Sequence, residues 1–514
     1  MLIQKTVFPG LLLFVFFFNA ISQNPVINRI DEADLREHLT YLASDELQGR
    51  SPGTKVKGLE MAANYIVEQA KRIGLNPGVP GYSQKVPLIT SRPDPESFIE
   101  ITKKGRRIFR TNDLVSLDGR MTKEELHDAA IVMAGFGDIS DETDVSGKVL
   151  IAAQGKAEDF TEPARFFWNN RKERGKILAL SKKQPLAIIV ITDPRDRKNY
   201  VFREMNARSN RERYSLALPE EPGGIPVFVA LPGLADKILG GKGKFEKYLG
   251  EVADKKVPGL FPVEHRQIAI NSKVIRKEIE ARNIVGYIEG SDPNLKKEYV
   301  VFMAHYDHIG ADTNGDVFNG ADDNGSGTVA IMEVAEAFAG LNPKPKRSIV
   351  FLWVTCEELG MFGSYYYTQH PVFPLEKTVA CFNLDMVGRV FEPRDTVWMK
   401  SPKKVKDFDG LFTLSNNVWP ELAELNRQKC AELGLVPDTS LPDYFIRASD
   451  HYNFHKNGVP ILNYATGYHA DYHKVGDDVD KINFAKIKRV ADLCFLMGLD
   501  IANRPEIHIK NTEK

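Results

Sequence analysis

The most informative stretch of the chain reads Asn319-Gly-Ala-Asp-Asp-Asn-Gly-Ser-Gly327 and lies between two other clusters of polar residues. His305-Tyr-Asp-His308 precedes it, and Glu357-Glu358 follows it. Both outer clusters come after apolar runs, residues 299–304 and 348–355, that are typical of buried strands. Carboxylates and imidazoles at strand ends indicate the upper edge of an open α/β sheet, where sites in such folds collect. The sequence therefore predicts an open mixed, mostly parallel sheet with helices on both faces.

Two further segments add potential ligands, Cys381-Phe-Asn-Leu-Asp385 and Ala470-Asp-Tyr-His473. Imidazole and carboxylate without clustered thiolates favour zinc, manganese or cobalt. The predicted ligands are His305, Asp323, Glu358, Asp385 and His473. A single catalytic zinc usually keeps three protein ligands, so this set suits two divalent ions, with zinc favoured. Such pairs lie about 3.5–4 Å apart and share a carboxylate and a water that acts as the nucleophile.

Two more carboxylates belong to the predicted chemistry. Glu357 is adjacent in sequence to the predicted ligand Glu358 and is not itself needed as a ligand. A free carboxylate at this position can take a proton from water and return it to the leaving group. Asp307 is an outer carboxylate that can orient the imidazole of His305. Any one of these residues would more often be an ordinary surface or loop residue. Several clusters at the ends of buried strands favour a site, because buried carboxylates need a partner.

The chain resembles the M28 family of di-zinc peptidases, which includes secreted aminopeptidases and glutamate carboxypeptidases. Five motifs in the family's order carry the resemblance: His305-Tyr-Asp307, Asn319 to Gly327, Glu357-Glu358, Asn383-Leu-Asp-Met-Val-Gly388 and Tyr472-His473. The resemblance implies that His305, Asp323 and Asp385 hold one metal ion. It implies that Asp323, Glu358 and His473 hold the other, with Asp323 as the bridge.

The resemblance also assigns catalytic roles. It makes Glu357 the general base and lets the hydroxyl of Tyr472 stabilise a tetrahedral oxyanion. It implies a cis peptide bond between Asp323 and Asn324. His469 is the rival of His473 as the last ligand, and His451 is expected to support the site without binding metal.

By this resemblance the expected activity is that of an exopeptidase, an aminopeptidase above all, which hydrolyses peptide bonds through a metal-bridged hydroxide. Three alternatives stay open: a glutamate carboxypeptidase-like enzyme, a glutaminyl cyclase-like enzyme and a non-catalytic binding relative. Cyclising relatives use one zinc, so the complete ligand set argues against them, and it argues equally against loss of metal. Arg389 and Arg447 are the candidates to bind a substrate carboxylate in the carboxypeptidase alternative.

Composition and the N-terminal residues limit the cellular setting. The 514-residue chain balances 68 basic against 69 acidic residues and shows no basic stripe, so a peptide rather than a nucleic acid is the expected partner. Residues 1–22 have the pattern of a signal peptide, which predicts export to the periplasm or the medium. No later segment is apolar enough to span a membrane. The four cysteines are too few for a disulfide scaffold, and Cys356 and Cys381 are expected to be buried thiols.

The changes of composition and patterning along the sequence predict a discontinuous peptidase domain over residues 23–95 and 273–508. Residues 96–272 form short β-like runs and resemble the protease-associated domain inserted in some family members. Within this insert, the highly charged residues 193–215 are expected to be a mobile loop. In the peptidase part, residues 327–340 have helical spacing, with Glu333 and Glu336 on the polar face of that helix.

Overall fold

The structure is a computed structural model that describes residues 29–117, 125–139, 144–161, 171–217, 224–390, 408–441 and 443–509. The predicted signal peptide, residues 1–22, lies outside these ranges. The chain divides into two compact units, Met1–Gln84 with Asn283–Lys514, and Lys85–Arg282. The proposed domain boundaries and the protease-associated assignment of the second unit stay predictions.

The helices of the described residues follow the apolar spacing of the sequence closely in the first unit. They are α1 (Glu32–Leu42), α2 (Gly58–Ile73), α3 (Arg171–Ser181), α4 (Tyr200–Ser209), α5 (Pro232–Leu239), α6 (Lys244–Ala253), α7 (Gly327–Ala339), α8 (Phe362–Gln369), α9 (Pro420–Glu432), α10 (His451–Lys456) and α11 (Phe484–Asn503). In α1 the side chain of Asp31 accepts a hydrogen bond from the N–H of Ala33, and in α11 Asn483 caps Lys486 in the same way.

The strands are numbered in chain order through both units. They are β1 (Asn76–Pro77), β2 (Ser83–Pro93), β3 (Phe98–Lys103), β4 (Arg106–Thr111), β5 (Leu114–Ser116), β6 (Glu125–Ala134), β7 (Lys148–Ala153), β8 (Ala187–Ile191), β9 (Arg213–Leu216), β10 (Val227–Ala230), β11 (Leu260–Asn271), β12 (Val274–Ile288), β13 (Tyr299–His305), β14 (Gly310–Ala311), β15 (Val317–Phe318), β16 (Ser348–Val354), β17 (Thr378–Leu384), β18 (Gly410–Ser415), β19 (Val436–Asp438) and β20 (Ile461–Ala465). The chain leaves the first unit within β2 and returns to it within β12.

The main sheet of the first unit runs in the order β19-β18-β20-β17-β13-β16-β12. Strands β20, β17, β13 and β16 are parallel to their neighbours in the centre. Strand β18 is antiparallel to β20, and β12 is antiparallel to β16. The predicted mixed, mostly parallel sheet is therefore confirmed.

Both faces of this sheet are covered by helices, because its central strands are apolar on both sides. Phe302 and Phe351 belong to one buried cluster, which also contains residues of α1, α2, α7 and α11. Val301 and Leu352 belong to another, which contains Tyr367 of α8 and Phe454 of α10. The alternation of side chains along each strand thus builds two cores, and the prediction of helices on both faces is confirmed.

The parallel strands bring the polar clusters to one edge of the sheet. Strand β13 ends at His305, which is in register with Val354 at the end of β16. Strand β17 ends at Leu384, one residue before Asp385. Three of the sequence-predicted clusters therefore start from the carboxyl ends of adjacent strands, where an open α/β sheet places its sites.

The second unit contains its own sheet, in the order β4-β3-β11-β6-β7-β8-β10-β5, with β6, β7, β8 and β10 parallel. The prediction of a mobile loop over residues 193–215 was wrong. This stretch forms helix α4 and strand β9. Phe202 and Met205 are buried in an apolar cluster of the unit, so apolar side chains three residues apart order the stretch despite its charges.

Three further expectations concern the cysteines, the glutamates of α7 and membrane-spanning segments. Cys356 and Cys381 are buried free thiols, as predicted, and so are the two other cysteines. The placement of Glu333 on a polar helix face was wrong, since the residue is 1% exposed, whereas Glu336 is partly exposed and pairs with Arg72. Among the described residues, no helix has the length and apolar character that a membrane span requires.

Candidate metal centre

The first group of predicted ligands meets at the end of β13. His305 is the last residue of that strand, Asp323 lies in the turn that leads into α7, and Asp385 follows β17. Nε2 of His305 lies 3.5 Å from Oδ1 of Asp323 and 3.4 Å from Oδ1 of Asp385. All three ligand atoms fall within 4.8 Å of one another. One cation can therefore contact all three side chains.

The second group shares Asp323 with the first. Nε2 of His473 lies 3.1 Å from Oδ2 of Asp323 and 3.1 Å from Oε2 of Glu358. Asp323 thus directs Oδ1 to one group and Oδ2 to the other. The structure brings all five predicted ligands together, and it gives the central place to the carboxylate that the family resemblance made the bridge.

Unsatisfied polar atoms at this centre fit a bound cation. Oδ2 of Asp323, Oδ1 of Asp385 and Nε2 of His473 are buried and have no hydrogen-bond partner. Burial raises the pKa of Asp323, and repulsion from Glu358 raises it further. Buried carboxylates without partners are costly, and an ion of opposite charge removes that cost. Imidazole and carboxylate donors suit zinc and related divalent ions.

Glu357 lies beside this centre, and the carboxylate of Asp307 holds its backbone. The N–H groups of Glu357 and Glu358 donate to Oδ1 and Oδ2 of Asp307 over 3.1 and 3.3 Å. Burial raises the pKa of the Glu357 carboxyl well above its ordinary value, while His305 opposes the shift. Asp307 thereby fixes the turn that carries both glutamates.

The predicted support of His305 by Asp307 is more distant than expected. Oδ1 of Asp307 lies 3.6 Å from Nδ1 of His305, whereas the backbone oxygen of the same residue lies 3.2 Å from it. Because a carbonyl oxygen only accepts, Nδ1 carries the proton and Nε2 is left to face the ligand group. Asp307 therefore orients the imidazole mainly through its main chain.

His308 is a residue of this centre to which the sequence assigned no role. Nδ1 of His308 lies 2.8 Å from Oε1 of Glu358, and the side chain is fully buried. Burial lowers the pKa of His308 to about 3, so the ring is neutral. The one signal in the sequence was its position three residues after His305.

The remaining histidines and Tyr472 take different positions. The ring of Tyr472 stacks on His473 with 3.8 Å between ring centroids. The rival ligand His469 points to Oδ2 of Asp322, 3.4 Å from its Nε2, rather than to the second ligand group. Nε2 of His451 lies 3.2 Å from the backbone oxygen of Phe445. The described contacts thus favour His473 over His469, and they leave the oxyanion role of Tyr472 a prediction.

Hydrogen bonds to the carboxylate of Asp477 hold the turn that presents Asp323. The carboxylate of Asp477 accepts hydrogen bonds from the N–H of Asp322 over 3.1 Å and from that of Asp323 over 3.0 Å. The bond between Asp323 and Asn324 is cis, as the family resemblance implied. A Cβ at Gly327 would lie 2.3 Å from the backbone oxygen of Leu384, so only glycine fits where α7 begins.

Arg50 is a second residue that sequence reasoning missed. It is 1% exposed, and its guanidinium donates to the backbone oxygens of Tyr306, Asn319 and Gly320. These carbonyls belong to the two loops that carry His305 and Asp323. These three partners lie more than 250 residues away in sequence, which no local pattern reveals.

An α/β fold with two ligand groups that share one carboxylate is typical of a metal-dependent hydrolase. Residues 283–497 match the model of peptidase family M28, and the chain carries a domain of that family. This match confirms the resemblance that the motifs indicated. It does not extend to the predicted protease-associated insert.

Curated relatives cover part of the chain. Aminopeptidase YwaD of Bacillus subtilis is 29% identical over 250 residues, which is 47% of this chain and 49% of that protein. Leucine aminopeptidase 2 of Trichophyton equinum is 27% identical over 301 residues, 53% of this chain and 56% of that protein. The chain therefore spans about half the length of these relatives. Among solved structures, an aminopeptidase from Aneurinibacillus sp. strain AM-1 aligns with 95% of this chain and 98% of its own at 17% identity and a TM-score of 0.49.

Proposed function

We propose that this protein is an exported, metal-dependent exopeptidase that removes residues from the amino terminus of peptides. The observation that carries the proposal is the placement of Asp323 between two ligand groups with Glu357 beside them. The match to peptidase family M28 and the aminopeptidases among the relatives support the same function.

The ligand set fits two divalent ions. His305, Asp323 and Asp385 would hold one, and Asp323, Glu358 and His473 the other. When bound, such ions lower the pKa of water and polarise a carbonyl. The count of two ions and a water shared between them as nucleophile are part of the proposal.

Glu357 would move the proton in this reaction. Its carboxylate takes a proton from the attacking water and returns it to the nitrogen of the leaving peptide. Two hydrogen bonds from the turn to Asp307 hold the backbone on both sides of that carboxylate. Tyr472, stacked on His473, would donate its hydroxyl hydrogen to the oxyanion that forms at the scissile carbonyl.

The surroundings of Arg389 count against this residue as the carboxylate-binding cation of a carboxypeptidase. A carboxypeptidase needs a free cation for the terminal carboxylate of its substrate. Arg389 is 5% exposed and pairs with Asp471 at 3.0 Å and with Asp477 at 3.8 Å. Arg447 is exposed, and its Cζ lies 5.8 Å from the centroid of the Tyr452 ring. Of the two arginines considered from sequence, Arg389 is thus already paired with Asp471.

Export rests on the sequence of residues 1–22, whose short basic start and apolar stretch fit a signal peptide. The measurement is N-terminal sequencing of the protein from cell and culture fractions. A start at Gln23 in the exported fraction supports the proposal, and an uncleaved chain confined to the cytoplasm contradicts it.

A peptide assay tests the activity. The purified protein is given amino-terminal chromogenic amides of single residues, the same amides with an acetylated amino group, and peptides with a free carboxyl terminus. The proposal predicts hydrolysis of the first group, loss of it with a chelator, and no hydrolysis of acetylated substrates. Release of residues from the carboxyl terminus only, or cyclisation of an N-terminal glutamine only, would contradict it. Glu357→Gln is the matched control for contaminating peptidases.

A further inference from the structure

His308 touches Glu358, a predicted ligand of the second ligand group. We propose that His308 is a positioning residue that makes Glu358 present a single oxygen, Oε2, to the metal ion. This inference rests on the proposed metal centre, but its test does not depend on peptidase activity.

The two oxygens of Glu358 face different partners. Oε1 lies 2.8 Å from Nδ1 of His308, and Oε2 lies 3.1 Å from Nε2 of His473. An ionised carboxylate only accepts hydrogen bonds, so Nδ1 of His308 is the donor. A hydrogen bond at Oε1 leaves Oε2 as the oxygen that is directed to the ligand group. Glu358 would then hold a metal ion through Oε2 alone, which would leave a coordination position for water or substrate.

The ring of His308 is held in place from several directions. Its side chain is fully buried. A Cβ added to Gly320 would lie 2.4 Å from Cγ of the ring, so the backbone of the metal-binding loop packs directly against it. The backbone N–H of His308 donates to the carbonyl of Arg50 over 3.4 Å, and Arg50 itself donates to the carbonyl of Gly320. The donor nitrogen thus has little freedom to leave Glu358.

A ligand atom of His308 also lies within 4.8 Å of ligand atoms of Asp323 and Glu358, so the donor role has to be distinguished from that of an imidazole ligand. Nδ1 of His308 lies 3.8 Å from Oδ2 of Asp323, whereas Nε2 of His473 lies 3.1 Å from the same atom. A nitrogen whose proton is donated to Glu358 has no lone pair for a metal ion. His473 is therefore the imidazole of this group, and His308 acts on the metal ion through Glu358.

Metal-binding measurements on variants of the full chain test the proposal. His308→Phe keeps a ring but removes the donor, and His308→Asn places an N–H close to the position of Nδ1. His370→Phe, on an exposed residue at the end of α8, is the matched control. Metal-free protein is titrated with zinc against a competing chelator, and the visible spectrum of the cobalt(II) form reports the number of ligands. Circular dichroism verifies folding, and His308→Leu replaces the phenylalanine variant if that variant does not fold.

The proposal predicts that His308→Phe weakens one of two zinc affinities by roughly 10–100-fold and leaves the other within a few-fold. The cobalt spectrum should change toward a higher coordination number, because Glu358 is free to bind through both oxygens. His308→Asn should restore most of the affinity and the spectrum. Unchanged affinities in His308→Phe would overturn the proposal, and so would an equal loss in the asparagine variant, which would make His308 a direct ligand.

The same titration separates this inference from the proposed function. A wild-type protein that shows the predicted metal pattern but cleaves no peptide supports the positioning role and contradicts the peptidase. An active wild-type protein whose phenylalanine variant binds both ions normally contradicts the positioning role alone. Absence of zinc binding in the wild type overturns both.

Discussion

Two regions of the first unit bury acidic side chains, and the two regions differ in the groups that surround the buried carboxyls. At the edge of the sheet, Asp323 shares its two oxygens between two ligand groups, and several of the converging atoms have no hydrogen-bond partner. In the helical layer, Glu333 of α7 is equally buried and its Oε1 also has no hydrogen-bond partner, but the ionisable group that faces this oxygen is a single imidazole, that of His38 at 3.7 Å.

The difference shows how a merely buried carboxyl can be distinguished from a metal ligand. Burial raises the pKa of Glu333 to about 8, with repulsion from Asp34 and Glu336 adding to the shift, so this carboxyl is mostly protonated at neutral pH. The ring of His38 is in turn held by the hydroxyl of Tyr65, 2.6 Å from its Nδ1. An isolated buried acid takes up a proton, whereas converging acids and imidazoles provide ligands for a cation.

The largest expected effect follows from removing the shared carboxylate. Asp323→Ala deprives both ligand groups of an oxygen, so both metal ions should be lost together with all measurable activity. Elemental analysis of the dialysed variant gives the metal content. Retention of both ions at wild-type affinity would show that Asp323 is not the bridge.

Replacing the proposed base should lower activity without removing metal. Glu357→Gln keeps the shape of the side chain, so turnover should fall by about 10²–10⁴-fold while the metal content stays that of the wild type. Steady-state kinetics on an amino-terminal amide, with elemental analysis of the same sample, measures both. A variant that retains full turnover would assign proton transfer to another group.

A smaller effect is expected at Glu333, and it concerns stability rather than metal. The folded pKa of about 8 lies above the ordinary value of 4.5, so folding retains a proton that the unfolded chain releases. Stability from this carboxyl is therefore present at low pH and is lost as the pH rises toward 8. Burial lowers the pKa of His38, and comparison with Glu333→Gln cancels the contributions of the other groups that titrate between pH 6.5 and 8.

Between these two pH values the wild type should lose about 1–2 kcal/mol more unfolding free energy than Glu333→Gln does. Denaturant unfolding at each pH, on metal-saturated protein, gives the difference. Equal pH dependence in the two proteins would mean that Glu333 is ionised in the fold, and the contrast with the metal centre would disappear.

Much of the fold and of the ligand set could be predicted because the responsible signals are local. Apolar runs that end in His305 and just before Asp385 mark strand ends, and parallel pairing places such ends at one edge. Residues 327–340 were predicted to be helical from their apolar spacing, and helix α7 spans Gly327–Ala339.

The missed features depend on contacts between distant parts of the chain. Arg50 supports carbonyls about 270 residues away, and His308 acts on Glu358, 50 residues away. Glu333 occupies a helix position that is polar in sequence, but α1 covers it, as its contact with His38 shows. Neither composition nor periodicity contains such information, because tertiary packing decides which polar side chains become buried.

Anomalous X-ray diffraction at the zinc absorption edge, on crystals of the protein saturated with zinc, tests the central claim most directly. The account predicts two peaks about 3.5–4 Å apart, one among His305, Asp323 and Asp385 and the other among Asp323, Glu358 and His473. A single peak, or two peaks that do not both contact Asp323, would contradict a centre built on one shared carboxylate.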